Sequence, residues 1–409
     1  MSTEEILRQA GIVLAAGLAS APLAALIRLP VMLVLVAMGL AVGPHGAGWV
    51  GIPLDSPAAQ LIFTFGVALI LFHGGVGISL RVIQRTSISL TLLVIPGVVL
   101  SCVLVALVAG PLLGVSFTVA LLIGAVLAPT DPAILIPLFE RLHLRPKVSQ
   151  TVIAESAFND PTGTVLALAL AASVVAGGDL DLAGVAGDFA HELALGVLAG
   201  VLGGLLLAAL LSGHRFGLWR NSPLAAILAI VAVDYFSTDR LGGSSFLAAF
   251  IMGLIVGNLD LFHMRRAESH ERLMEPGMDQ ITEIATMTVF VTLGVNLPVD
   301  AMREHLLPGL GLMAFFVFVA RPLVVLVCAA PDRRARWTGP ELAFLMWCRE
   351  TGVVPAALAG LLLSRQVEGA PVVAAMVALA IVVTLLLQAT TAGPLARRLG
   401  LVEATPGPA

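Results

Sequence analysis

Apolar runs of about 20 residues recur along almost the whole chain, each long enough to cross a bilayer as a helix. Thirteen can be marked, starting near residues 6, 30, 59, 87, 117, 148, 191, 222, 244, 279, 306, 340 and 372. Their apolar positions are continuous. A membrane barrel, whose strands alternate, is therefore excluded. Glycine, proline and charge separate the runs, as in "GPHGAGWVGIPLDS" and "SGHRFGLWRNSP". The longest polar stretch, "NLDLFHMRRAESHERLMEPGMDQ", reads as a loop, and no stretch is left for a soluble domain.

Composition agrees. Of 409 residues, 58% are hydrophobic and 12% charged, where a soluble protein carries about 25% charged residues. The chain reads as an all-α polytopic membrane protein. Residues 1–403 form one membrane domain, with 404–409 as a short tail. The first run follows "MSTEE", an acidic start without a cleavage signal, so it reads as a span rather than a signal peptide. Cys102, Cys328 and Cys348 lie in apolar segments and form neither a disulfide framework nor a metal motif.

Charge orients the spans. Of the 22 Lys and Arg, sixteen fall on one side, among them Arg28, Arg141, Arg215, Arg220, Arg265, Arg266 and Arg272. Four fall on the other, and Arg321 and Arg349 lie inside spans. The positive-inside rule then puts the N-terminus outside and the C-terminus in the cytoplasm, in a multi-pass protein of the inner (plasma) membrane. An odd number of spans agrees with that split.

Ionisable groups within a membrane are costly and usually functional. Those left here are His73, Asp131, Glu155, Asp160, Asp234, Arg321, Arg349 and Glu350. In span 5, "APTDP" puts two prolines around Thr130 and Asp131, where the helix should break. Span 12 is interrupted by "RETGVVP". Two broken helices, seven spans apart, point to an inverted-repeat transporter with a site near the bilayer centre. Asp131 can neutralise the positive half-helix ends there and Arg349 the negative ones.

Span 6 carries "TVIAESAFNDPTGTV" at 151–165. Residues four apart share a helix face, so Glu155 lies with Asn159 and Ser156 with Asp160. Glu155 needs a cationic partner, since a lone buried charge is neutralised or destabilising. Arg321, in "FVARPLVV", is favoured over Arg349. A carboxylate beside an arginine stays ionised, which leaves Asp160 as the group whose charge changes. Desolvation favours its neutral form, so a proton and a small cation can compete for it.

"APTDPAIL", "AESAFNDPTG", "GGSSFLAAFIMGLIVGN" and "FVARPLVV" together resemble the cation/proton antiporter-1 family of NhaP-like exchangers, over nearly the whole chain. The resemblance implies an NhaA/NhaP-like fold, discontinuous in helices 5 and 12. It implies a homodimer whose protomers have a core near 87–176 and 306–395 and dimerisation helices among the rest. It implies a Na⁺ (or Li⁺) site at Asp160, Ser156 and Thr130, with Asp131, Asn159 and His73 at or near it. The Asn159–Asp160 pair goes with electroneutral one-for-one exchange. Two departures stand out. "LILFHGG" puts His73 where relatives have an acidic residue, either tuning Asp160, sensing pH or bonded in the interior. "RETGVVP" displaces Arg349 and adds Glu350, which either pairs with Arg349 or faces water.

Asp234 reads as an interfacial charge at the end of span 8. Asp279 and Glu283 read as helix N-terminal acids that could also line a funnel. The expected activity is Na⁺/H⁺ exchange by alternating access, with K⁺/H⁺ exchange as the alternative. A channel and an aspartyl protease using Asp131 and Asp160 fit less well. No nucleotide-binding motif is present, and no cofactor or nucleic acid is implied.

Overall fold

A computed structural model describes residues 3–403 except 28, 54–55, 132–134, 137–138, 140–141, 177–181, 212–221 and 260–267. The tail at 404–409, Arg28, Arg141, Arg215, Arg220, Arg265, Arg266 and the Arg272 side chain lie outside the described residues.

Each apolar run becomes a helix. In chain order they are α1 (Thr3–Ile27), α2 (Val31–Val42), α3 (Pro57–Val76), α4 (Leu80–Leu113) and α5, whose first half is Phe117–Leu127. Then come α6 (Pro146–Ala176), α7 (Leu182–Leu211), α8 (Pro223–Arg240), α9 (Ser245–Gly257) and α10 (Glu268–Val295). Last are α11 (Leu306–Cys328), α12 in two halves (Gly339–Trp347 and Val353–Ser364) and α13 (Ala370–Arg398).

Three helices start well before their apolar runs. α4 begins at Leu80, α7 at Leu182 and α10 at Glu268. Hydropathy marks only the lipid-buried part of a helix, whereas the helix continues into the interface to keep its backbone groups bonded. The stretch read as one long loop is therefore helical from Glu268, with Pro276 inside the helix. Asp279 and Glu283 consequently lie several turns inside α10, out of reach of its N-terminal dipole.

Lipid supplies no hydrophobic drive between helices, so close backbone approach matters more than side-chain bulk. α2 crosses α10 at Gly39 and Gly294, where a Cβ on either glycine would overlap a carbonyl oxygen of the opposite helix. α3 crosses α9 in the same way, with Gly253 against the Phe72 carbonyl. α5, α6 and the second half of α12 are packed inside, while α1 and α7 leave Leu18, Leu26, Leu198 and Leu202 exposed, as lipid-facing helices do.

One end of the interior is tied by polar contacts. Asp332, in the turn between α11 and α12, accepts from Ser89 Oγ (2.6 Å) and Ser89 N (3.0 Å) of α4, and from the amides of Arg334 (2.9 Å) and Ala335 (3.1 Å). Trp337 Nε1 donates to the same Ser89 Oγ (2.8 Å), and Lys147 of α6 donates to Glu341 of α12 (2.6 Å). Burial pushes the Asp332 carboxyl up, but these hydrogen bonds outweigh it and hold it below the usual carboxylate range. A lowered folded value means stability that is full above the ordinary value, near 4, and is lost as pH falls through the folded one. Asp332→Asn should cost about 1–3 kcal/mol at neutral pH, the price of unsatisfied buried donors. Thermal unfolding in detergent should show that gap closing as the buffer is acidified; a gap independent of pH would refute the charge's role.

Beyond α13 the chain returns to the end of α5. Arg145 N donates to Leu401 O (2.9 Å) and Glu403 N to His143 O (2.9 Å), around an antiparallel bridge between Leu144 and Val402.

Candidate functional site

The two interrupted helices meet. α5 stops at Leu127 before Pro129, and α12 stops at Trp347 and resumes at Val353. Their breaks are joined backbone to backbone, Asp131 N donating to Glu350 O (2.9 Å). The Asp131 carboxylate accepts from Val353 N (2.7 Å), at the start of the second half of α12. A negative charge at a helix N-terminus satisfies an otherwise orphaned amide and complements the dipole. Arg349 does the converse. It donates to the carbonyl of Ala128, where α5 ends, to Leu127 O (3.5 Å) and to Ser101 Oγ (3.2 Å), and stacks over Phe316 at 4.5 Å.

Gly352 makes this fit possible, because a Cβ there would overlap the Asp131 carboxylate. Gly352→Ala should lower stability by about 1–3 kcal/mol, as overpacking does. Gly51→Ala is the control, since nothing lies within 4 Å of its added Cβ. Equal melting of the two variants would show that the Asp131 contact carries no weight.

Glu155 of α6 pairs with Arg321 of α11, at 2.5 Å (Oε1 to Nη1) and 3.0 Å (Oε2 to Nη2). Arg321 also donates through Nε to Leu345 O (3.0 Å) and through Nη2 to Cys348 O (3.5 Å), carbonyls near the end of the first half of α12. The bidentate geometry is the strong form of such a pair. A single π turn at Phe316–Ala320 directly precedes Arg321 and changes the direction in which α11 presents it.

One helical turn beyond Glu155 lies a second polar group. Asn159 holds Thr130 at two points, Oδ1 accepting from Thr130 N (3.2 Å) and Nδ2 donating to Thr130 Oγ (2.9 Å). Thr130 Oγ and Ser156 Oγ are 2.6 Å apart and share a hydrogen bond. Asp160, one turn after Ser156, is 1% exposed, and neither of its carboxyl oxygens has a hydrogen-bond partner. A bare carboxylate so placed is far from stable. A proton on the carboxyl, or a positive charge beside it, would remove that cost.

His73 lies elsewhere. Its Nε2 is 3.4 Å from Asp279 Oδ1, and both line a cavity of ≈ 250 Å³ with Ile136, Thr282, Glu283 and Thr286. Asp234 sits inside α8 rather than at its end, facing Gly203 of α7. Glu350 neither pairs with Arg349 nor faces water: it is 0% exposed, with both carboxyl oxygens unpartnered. Sequence reasoning missed Gln388, whose Nε2 donates to Trp347 O (2.5 Å). It sits in a π turn of α13, Leu385–Ala389. A glutamine deep in an apolar run was the available signal.

Known proteins share this architecture. The chain is 29% identical over 398 residues to the K(+)/H(+) antiporter NhaP2 of Shewanella oneidensis, a match covering 95% of this chain and 65% of that protein. It therefore spans about two-thirds of that relative's length. It is 28% identical over 317 residues to the probable Na(+)/H(+) antiporter 2 of Methanocaldococcus jannaschii, covering 74% and 72%. The solved structure of the sodium proton antiporter MjNhaP1 from Methanocaldococcus jannaschii superposes with a TM-score of 0.77 at 23% identity, over 97% of this chain and 99% of that one; it shares the fold. The family described as "Sodium/hydrogen exchanger, transmembrane" matches residues 12–398. With nearly the full length matched, the chain belongs to the sodium/hydrogen exchanger family.

Proposed function

We propose that this protein exchanges a monovalent cation for protons across a membrane by alternating access, with cation and proton competing for Asp160. The observation that carries the reading is a buried carboxyl with both oxygens unpartnered, one turn from a Thr130–Ser156 hydroxyl pair. Thr130 and Ser156 supply further oxygen ligands, and Asn159 positions Thr130. Asp131 serves the end of the α12 half-helix, and the Glu155–Arg321 pair anchors α6 to α11. His73 lines the approach with Asp279 and Glu283, where carboxylates raise the local concentration of cations.

The moving body is the core containing α5, α6, α11 and α12, in a homodimer held by the remaining helices. The N-terminus lies outside and the C-terminus in the cytoplasm of the inner membrane. One titrating carboxyl at the cargo site gives one-for-one, electroneutral exchange. Na⁺ (or Li⁺) is the first reading for the cation. K⁺ is the second, favoured by the name of the Shewanella relative.

Purified protein in vesicles with a trapped pH dye tests this. Addition of NaCl, LiCl or KCl should drive proton efflux insensitive to a clamped membrane voltage. A response to K⁺ alone would select the second reading, and no response to any of the three at any pH would overturn both.

A further inference from the structure

Glu350 has no part in the exchange just described, yet it is the most deeply buried acid among the described residues. It is 0% exposed, against 1% for Asp160, 2% for Asp131 and 3% for Glu155. It stands in the break of α12, pinned from both sides. Its carbonyl receives Asp131 N (2.9 Å), and the next amide, Thr351 N, donates to Thr384 Oγ of α13 (3.2 Å).

The charged and titratable groups around it come from three helices besides its own. They are Arg321 on α11, Glu155 beyond it on α6, and Asp131 on α5, with Cys348 and Arg349 on α12. From α13 come Thr384 and Gln388, which do not ionise. Both guanidinium groups are already engaged, Arg321 with Glu155 and two carbonyls, Arg349 with Ser101 and the end of α5.

Two buried cationic groups thus face four buried carboxyls. Glu155 has its arginine, and Asp131 has the amide of Val353. Asp160 has its cargo. Glu350 has no hydrogen-bond partner for either carboxyl oxygen and only the field of Arg321, a charge already committed to Glu155, and a buried carboxylate so placed is among the costliest groups a protein can hold. A proton removes that cost.

We propose that Glu350 is a second proton-binding site of the transport core, holding a proton of its own beside the one exchanged at Asp160, so that the loaded core is electrically neutral. The transport half of this rests on the exchange reading above; the protonation of Glu350 does not. Raising the pH removes the Glu350 proton and leaves the moving core with an uncompensated charge, which opposes its passage through the bilayer. Exchange should therefore fail at alkaline pH for a reason separate from competition at Asp160, and Glu350→Gln, which cannot ionise, should extend exchange to higher pH.

Infrared spectroscopy of the reconstituted protein at neutral pH reads the proton directly, without an ion gradient. A protonated carboxyl shows an acid carbonyl band that a carboxylate lacks. The band should be present in the parent and in Asp160→Asn, and its glutamic-acid part should be lost in Glu350→Gln. Its absence from the parent, or its full survival in Glu350→Gln, would overturn the proposal. Should Glu350→Gln not fold, isotope-labelled glutamate separates glutamic from aspartic acid bands, in a background where Glu192, a partly buried acid of α7 that could add a band of its own, is replaced by Gln. A shifted band there supports Glu350, and an unshifted one overturns it. Vesicles without any exchange would sink the antiport reading and leave this result standing.

Discussion

Asp160→Asn is expected to fold and insert as the parent does and to exchange no cation for protons. The substitution keeps the side chain's size and removes its charge. Because neither carboxyl oxygen holds a structural bond, nothing in the scaffold is lost. The function is lost twice over, since an amide binds no exchangeable proton and offers a cation no counter-charge. In the proposed mechanism the same carboxyl also sets the coupling. A charged side chain at the bilayer centre costs at least about 2.5–3.5 kcal/mol, so an empty, ionised site crosses roughly a hundredfold or more slowly than a loaded one. Removing the charge removes the cargo and the barrier to uncoupled movement together. Tracer uptake and the trapped-dye assay, beside a melting curve that matches the parent's, check this. Exchange persisting in a folded Asp160→Asn protein would place the site elsewhere.

The second large effect is on stability. Glu155→Gln should cost about 3–5 kcal/mol, the usual penalty for leaving one member of a buried ion pair alone. Arg321 would keep its bonds to Leu345 O and Cys348 O, but its charge would lose its only ionised hydrogen-bond partner among the described residues. The remedy is as informative as the damage. Arg321→Met combined with Glu155→Gln removes the orphaned charge, so the double variant should be more stable than the sum of the single losses predicts. Strictly additive losses, or a Glu155→Gln protein that melts like its parent, would show that the contact contributes little.

Much of this architecture is readable from the sequence, for physical reasons. Thirteen continuous apolar runs admit few folds, and prolines beside Asp131 and Val354 mark the two breaks because proline cannot continue the backbone pattern. Helical spacing alone puts Ser156 and Asp160 on one face. What escapes is whatever depends on distance between helices. The sequence favours Arg321 over Arg349 for Glu155, and the pair is seen, but its bidentate geometry and the π turn ahead of Arg321 are encoded by no residue type. The solitary state of Glu350 cannot be seen beside an arginine in sequence, since adjacent residues on this broken segment point to different neighbours. Motif position alone locates His73 in the sequence, and its contact with Asp279 depends on how α3 packs against α10.

The places where α5 and α12 break look like the weakest backbone in the molecule, yet they are stitched to one another. Asp131 N reaches Glu350 O, and Val353 N reaches the Asp131 side chain. Amide hydrogens there have no route to water short of parting the two chains. Their exchange with deuterium will be among the slowest in the protein and will stay slow through turnover. The give that a moving carrier needs must be sought in its joints with the surrounding helices, where time-resolved exchange would find it.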